Sequence, residues 1–178
     1  DTGPAGVWAD DDFNGDGFRD IAVATPGGNS VSLLLSTGPG QYDDGHVSLL
    51  VGAGPVAVWG GDVDRDGDMD LATANADDNT ISLLLGDNQG GFSDGGTLAV
   101  EGTGPMSLWG DDLDGDGLID FATRNMGDGT LSVLRGDSQG GAGSFQTART
   151  FQVGAGAGTV WGGDITNDGL PELAVSSD

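Results

Sequence analysis

Asp62-Val-Asp-Arg-Asp-Gly-Asp-Met-Asp70 is followed at once by Leu71-Ala-Thr-Ala and, after the turn-rich Ala76-Asp-Asp-Asn79, by Thr80-Ile-Ser-Leu-Leu-Leu. Oxygen-bearing side chains alternate around a glycine, and then come two short apolar runs bounded by Asn, Asp and Gly. That is the pattern of a tight loop feeding a β-hairpin. The pattern recurs as Asp12-Phe-Asn-Gly-Asp-Gly-Phe-Arg-Asp20, Asp112-Leu-Asp-Gly-Asp-Gly-Leu-Ile-Asp120 and Asp164-Ile-Thr-Asn-Asp-Gly-Leu-Pro-Glu172. A tryptophan precedes each copy, at positions 8, 59, 109 and 161, so the period is 50 to 52 residues. Self-similarity at this period is the signature of stacked repeats.

Working outward, each unit reads as four short strands. In the second unit they fall at 55–61, 70–75, 80–85 and 97–100, with a Gly-rich loop over 86–96. No segment keeps a helical period. Four-stranded antiparallel units of this length predict an all-β chain built as β-propeller blades. The expected division is blade 1 over 1–52, blade 2 over 53–102, blade 3 over 103–154, and the first two strands of a fourth over 155–178. About three and a half blades cannot close a ring. The expectation is therefore a segment of a longer propeller chain or a homo-oligomer, and the start at Asp1 without Met reads as a processed or truncated chain.

Composition narrows the function classes. The 178 residues carry 29 acidic and 5 basic side chains, for a formal net charge of −24. Such a charge repels phosphate backbones and anionic membrane surfaces, which argues against nucleic acid and lipid as partners. No apolar run is long enough to insert into a membrane. Cysteine is absent, which removes disulfides, zinc–thiolate sites and thiol nucleophiles. The 36 glycines and the preference for Asp over Glu disfavour helices.

The acidic loops carry the chemistry. Positions 1, 3, 5 and 9 bear oxygen side chains and position 6 is always Gly, which is the front half of a calcium loop closed early. A hard divalent cation takes six to eight oxygens, and alternate residues of a tight loop point inward to supply them. The ligands expected are Asp12, Asn14, Asp16 and Asp20; Asp62, Asp64, Asp66 and Asp70; Asp112, Asp114, Asp116 and Asp120; and Asp164, Thr166, Asp168 and Glu172. Phe18, Asp68, Leu118 and Leu170, at position 7, would offer backbone carbonyls. Up to four Ca2+ ions are expected, the fourth site being weakest because Thr166 and Glu172 replace carboxylates of the standard length. Solvated hairpin turns also favour Asp and Gly, but four copies in register weigh towards calcium. Magnesium, with its small octahedral shell, suits an all-protein cage poorly.

At these residues the chain resembles the FG-GAP or VCBS repeats of integrin α-subunit propellers and bacterial secreted proteins. The matching elements are Gly52-Ala-Gly-Pro55 and Gly102-Thr-Gly-Pro105, the acidic loops, Asp70-Leu-Ala-Thr-Ala-Asn75, Asn79-Thr-Ile-Ser-Leu-Leu-Leu-Gly86 and Gly91-Phe92. The resemblance implies calcium between the first and second strands of each blade, and a secreted or cell-surface protein. It also implies a role in adhesion, in binding a protein or glycan ligand, or as a scaffold beside an enzyme. The tryptophans depart from the family, which has a small or apolar residue there.

Other motifs carry less. Arg135-Gly-Asp-Ser138 spells an adhesion tripeptide, yet Leu85-Gly-Asp-Asn88 occupies the same place in the second unit. The tryptophans suit packing between blades better than a sugar platform, and Tyr42, Phe92 and Phe145 read as plugs at blade edges. His46 is the only histidine, there is no Lys, and no nucleophile elbow exists, so no enzyme is expected. The resulting expectation is a calcium-binding extracellular propeller module for adhesion or ligand binding. The alternatives are a subunit of an extracellular fibre or surface assembly, and a scaffold segment of a secreted enzyme.

Overall fold

The computed structural model describes residues 3–43, 45–141, 143–156 and 158–176. Blade 1 pairs β1 (Val7–Trp8), β2 (Ile21–Thr25), β3 (Ser30–Leu34) and β6 (Val47–Leu50) in that order, with a small hairpin of β4 (Ser36–Gly38) and β5 (Gln41–Tyr42) at one end. Blade 2 runs through β7 (Pro55–Gly61), β8 (Asp70–Asn75), β9 (Thr80–Gly86) and β10 (Phe92–Ala99). Blade 3 runs through β11 (Pro105–Asp111), β12 (Asp120–Asn125), β13 (Thr130–Leu134) and β14 (Arg149–Gln152). The fourth sheet pairs β15 (Val160–Gly163) with β16 (Glu172–Val175). Neighbouring strands are antiparallel throughout, as hairpins require. The register repeats from sheet to sheet: Trp8, Trp59, Trp109 and Trp161 face Ala22, Ala72, Ala122 and Ala174 across the first strand pair.

The second strand is the heart of each full blade. Every residue of β8 and of β12 is buried, because sheets pack on both of its faces. Blade 1 lays Ala22, Val31 and Leu33 against Val58, Leu71 and Leu84 of blade 2. Blade 2 lays Trp59, Ile81 and Leu83 against Phe121 and Leu134 of blade 3. Ala122 and Leu131 meet Val160 at the last junction. The result is a row of face-to-face sheets that does not close, a partial propeller. The acidic loops and the loops after each third strand gather on one side of this row. The turns after the second strands and the blade-to-blade linkers lie on the other.

Two details differ from the sequence reading. The fourth strand of blade 2 begins at Phe92 and not at residue 97, because Phe92-Ser-Asp-Gly-Gly pairs with β9 through a bulge between Asp94 and Gly96. Tyr42 is exposed and plugs nothing, whereas Phe92 packs on Phe13 and Phe145 stacks on Phe121 at 5.1 Å. The tryptophans do pack between blades. Trp8 meets Trp59 at 6.1 Å, Trp59 meets Phe121 edge-on at 5.3 Å, and Trp109 meets Trp161 at 6.0 Å.

Candidate metal centres

Each acidic loop folds around its first Asp. Asp112 Oδ1 accepts hydrogen bonds from the backbone of Gly115 (2.7 Å) and Asp116 (3.1 Å), and its Oδ2 from Gly117 (2.8 Å). Asp12 does the same for Gly15, Asp16 and Gly17, and Asp164 for Asp168 and Gly169. Asp62 receives Gly67 at 3.1 Å. Position 5 then takes the amide of position 7, from Phe18, Asp68 and Leu118 at 2.9 Å and from Leu170 at 3.0 Å. The chain turns this tightly because positions 4 and 6 both adopt left-handed backbone. Position 6 is Gly in every copy, with φ between 83° and 95°. Position 4 varies over Gly15, Arg65, Gly115 and Asn167, of which Arg65 at φ 67° is the least suited.

Position 9 has a distinct task. Asp20, Asp70 and Asp120 are buried, and both carboxylate oxygens of each accept backbone amides. Asp70 takes Val63 at 2.7 Å and Gly86 at 2.9 Å; Asp20 takes Phe13 and Ser36; Asp120 takes Leu113 and Gly136. One side chain thus ties the acidic loop to the end of the third strand. Burial pushes Asp70 up to about 6 against the pull of its two amides, with Asp64 adding repulsion. Asp20 and Asp120 are raised for the same leading reason.

Oxygens converge in the middle loops. Ligand atoms of Asp62, Asp64 and Asp70 lie within 4.8 Å of one another, as do those of Asp112, Asp114 and Asp116. Among the described residues, Asp62 Oδ1 and Asp114 Oδ1 are buried and accept no hydrogen bond. Buried, unpartnered carboxylate oxygens beside other carboxylates are costly unless a cation satisfies them, so the residues present fit Ca2+. Asp68, at position 7, contributes no carboxylate to its triad. In the fourth loop the Thr166 hydroxyl donates to Glu172 Oε1 (2.8 Å) and the amides of Ile165 and Thr166 to Oε2. Those bonds hold Glu172 below its usual carboxylate range and occupy its oxygens.

Arginine enters where the spacing gave no sign of it. Arg135 pairs with Asp114 Oδ2 at 2.8 Å, so the Arg-Gly-Asp tripeptide has its cation turned onto an acidic-loop carboxylate. Asp137 and Ser138 line a separate cleft of about 240 Å³, with Asp64, Arg65 and Phe145. In blade 2 the shorter loop closes the corresponding space, Gly90 donating to the Phe13 carbonyl at 3.0 Å. Blade 3 has three more residues between its Gly136-Asp-Ser-Gln-Gly-Gly and Phe145.

The FG-GAP-like repeat pattern matches the sequence three times, over residues 12–73, 62–123 and 112–175. The chain belongs to the FG-GAP-like repeat family. Each match runs from one acidic loop past the next, so this repeat unit spans the junction between adjoining blades. No curated protein matches the chain in sequence. Among solved structures, the fold is similar to that of the periplasmic gluconolactonase PpgL of Pseudomonas aeruginosa, with a TM-score of 0.61 and 19% identity. That likeness covers 99% of this FG-GAP-like chain and 43% of the gluconolactonase, so the chain spans less than half of its neighbour's length. At this identity the likeness concerns fold alone.

Proposed function

We propose that this FG-GAP-like chain is a calcium-stabilised, non-enzymatic propeller module that works outside the cytoplasm by binding a protein or glycan. The observation that carries the reading is the pair of buried, unpartnered oxygens on Asp62 and Asp114, each inside an acidic triad. A divalent ion there would offset the mutual repulsion of the triad and brace the hairpin between a blade's first two strands. The third-strand loops beside it would then be held for recognition, and the cleft between Arg65 and Ser138 is one such recess. Extracellular calcium modules bind at about 10⁻⁴–10⁻³ M, so millimolar calcium should raise the melting temperature over that in EDTA. Coincident melting curves would overturn the reading. A second reading, a subunit of an extracellular assembly, is favoured by apolar side chains exposed on the end sheets, Val7 and Leu50 at one end and Trp161 at the other.

A further inference from the structure

The four acidic loops, numbered by blade, differ in where the amide of the fifth residue goes. In loop 2 the Asp66 amide donates to Asp64 Oδ1 at position 3 (3.2 Å), and Asp62 Oδ1 at position 1 is buried without a partner. In loop 3 the choice is reversed. The Asp116 amide donates to Asp112 Oδ1 at position 1 (3.1 Å), and Asp114 Oδ1 at position 3 is the buried oxygen without a partner. Loop 1 divides the same amide, Asp16 lying 3.2 Å from Asp12 Oδ1 and 3.1 Å from Asn14 Oδ1. Loops 2 and 3 carry the same carboxylates and the same left-handed turns at positions 4 and 6.

What separates them is the end of the third strand, where blades 1 and 2 have Leu35 and Leu85 and blade 3 has Arg135. The guanidinium donates to Asp114 Oδ2 at 2.8 Å. Next to it, the Gly136 amide donates to Asp120 Oδ1 at 2.8 Å, so the backbone that carries Arg135 is pinned to the loop it reaches into. One oxygen of Asp114 is thus occupied from outside. The other is left free in a loop whose Asp112, Asp114 and Asp116 offer oxygens within 4.8 Å of one another.

Two effects of Arg135 on a divalent ion oppose each other. Its charge repels the ion, while its bond to one oxygen of Asp114 fixes that side chain and spares the second oxygen. The arginine side chain is 47% exposed, so water screens the repulsion. A hydrogen bond that orients a ligating group is worth roughly 10–100-fold in metal affinity. Orientation therefore outweighs repulsion.

We propose that Arg135 is a positioning residue of the third metal centre: by holding Asp114 Oδ2, it keeps Asp114 Oδ1 off the loop's own amide and open to a divalent cation. The second centre, with Leu85, lacks this support. The inference rests on the calcium reading above and adds to it a residue outside the acidic-loop pattern.

Calcium titration of isotope-labelled protein by NMR reads the two centres separately. The amides to follow are Gly117 in loop 3 and Gly67 in loop 2, each donating to the first Asp of its own loop. Arg135→Met, which keeps the apolar stem, should raise the calcium midpoint at Gly117 roughly tenfold and leave that at Gly67 unchanged. Arg135→Lys, which keeps a charged donor, should recover most of the loss. A Gly117 midpoint that stays put or falls in Arg135→Met, while Gly67 still titrates, refutes the proposal and leaves the calcium reading intact. Equal shifts at both glycines would sink it too, because a general loosening of the fold would then be the cause. If neither amide responds to millimolar calcium, the calcium reading fails and this inference falls with it.

Discussion

Arg124 shows how a single position can replace a device used elsewhere in the row. Blades 1 and 2 hold the following linker with an asparagine: Asn29 Oδ1 accepts the amide of Gly54 (3.1 Å), and Asn79 Oδ1 that of Gly104 (2.7 Å). Both asparagines sit in left-handed backbone, at φ 48° and 57°, a conformation Asn tolerates better than most residues. Blade 3 has Gly129 in that place and no side chain to offer. Arg124 stands where blades 1 and 2 have Ala24 and Ala74. It is fully buried and donates to the carbonyls of Gly154 (2.6 Å), Gly156 (3.0 Å), Thr130 (3.2 Å) and Asn125 (2.5 Å). Arg124→Ala should therefore cost roughly 2–4 kcal/mol in urea unfolding. Adding Gly129→Asn should return about 1 kcal/mol of that; no recovery would show that the two positions do not compensate. The sequence could not disclose this pairing, because Arg124 reaches a linker some thirty residues further on.

At the scale of the element, strands one to three of each full unit were legible in the sequence, and so was the end of the fourth strand of blade 2, but its first half was not. Apolar, β-branched runs such as Thr80-Ile-Ser-Leu-Leu-Leu announce themselves, whereas Phe92-Ser-Asp-Gly-Gly has the composition of a loop and becomes a strand only because β9 offers it a partner. The acidic loops were legible as oxygen sets, but the double duty of their ninth residue was not. Its second tie, to the chain after the third strand, depends on the sheet being assembled. That tie gives calcium-free protein an unusual pH response. Asp70 titrates near 6 in the fold and near 3.8 when unfolded, so between those values the folded state binds the extra proton. Without calcium, stability should thus fall as pH rises through 3.8 to about 6, by about 3 kcal/mol from Asp70 alone. Asp20 and Asp120 act in the same direction. Calcium favours the ionised carboxylates and should reverse the trend. Thermal melts from acid to neutral pH, in EDTA and in calcium, check both signs; a calcium-free protein that gains stability towards neutrality would contradict the burial argument.

For the whole molecule, repulsion is the dominant long-range force. Four divalent ions would take eight charges off the formal −24, and what remains still repels itself. Raising sodium chloride should therefore raise the melting temperature of the EDTA-treated protein more than that of the calcium-loaded one; equal shifts would mean that the loops contribute little to the repulsion. The architecture itself was legible, because the period of the tryptophans and acidic loops fixes the number of sheets. What the period could not convey is that the units are unequal at one decisive spot. Blades 2 and 3 each carry both a ring to give and a bare glycine to receive one. A unit with both halves is interchangeable with its neighbours, so tandem gene duplication can lengthen such a row without inventing a new contact. Blade 1 gives a ring through Trp8 but has Ala9 and Asp10 after it where blades 2 and 3 have the receiving glycine.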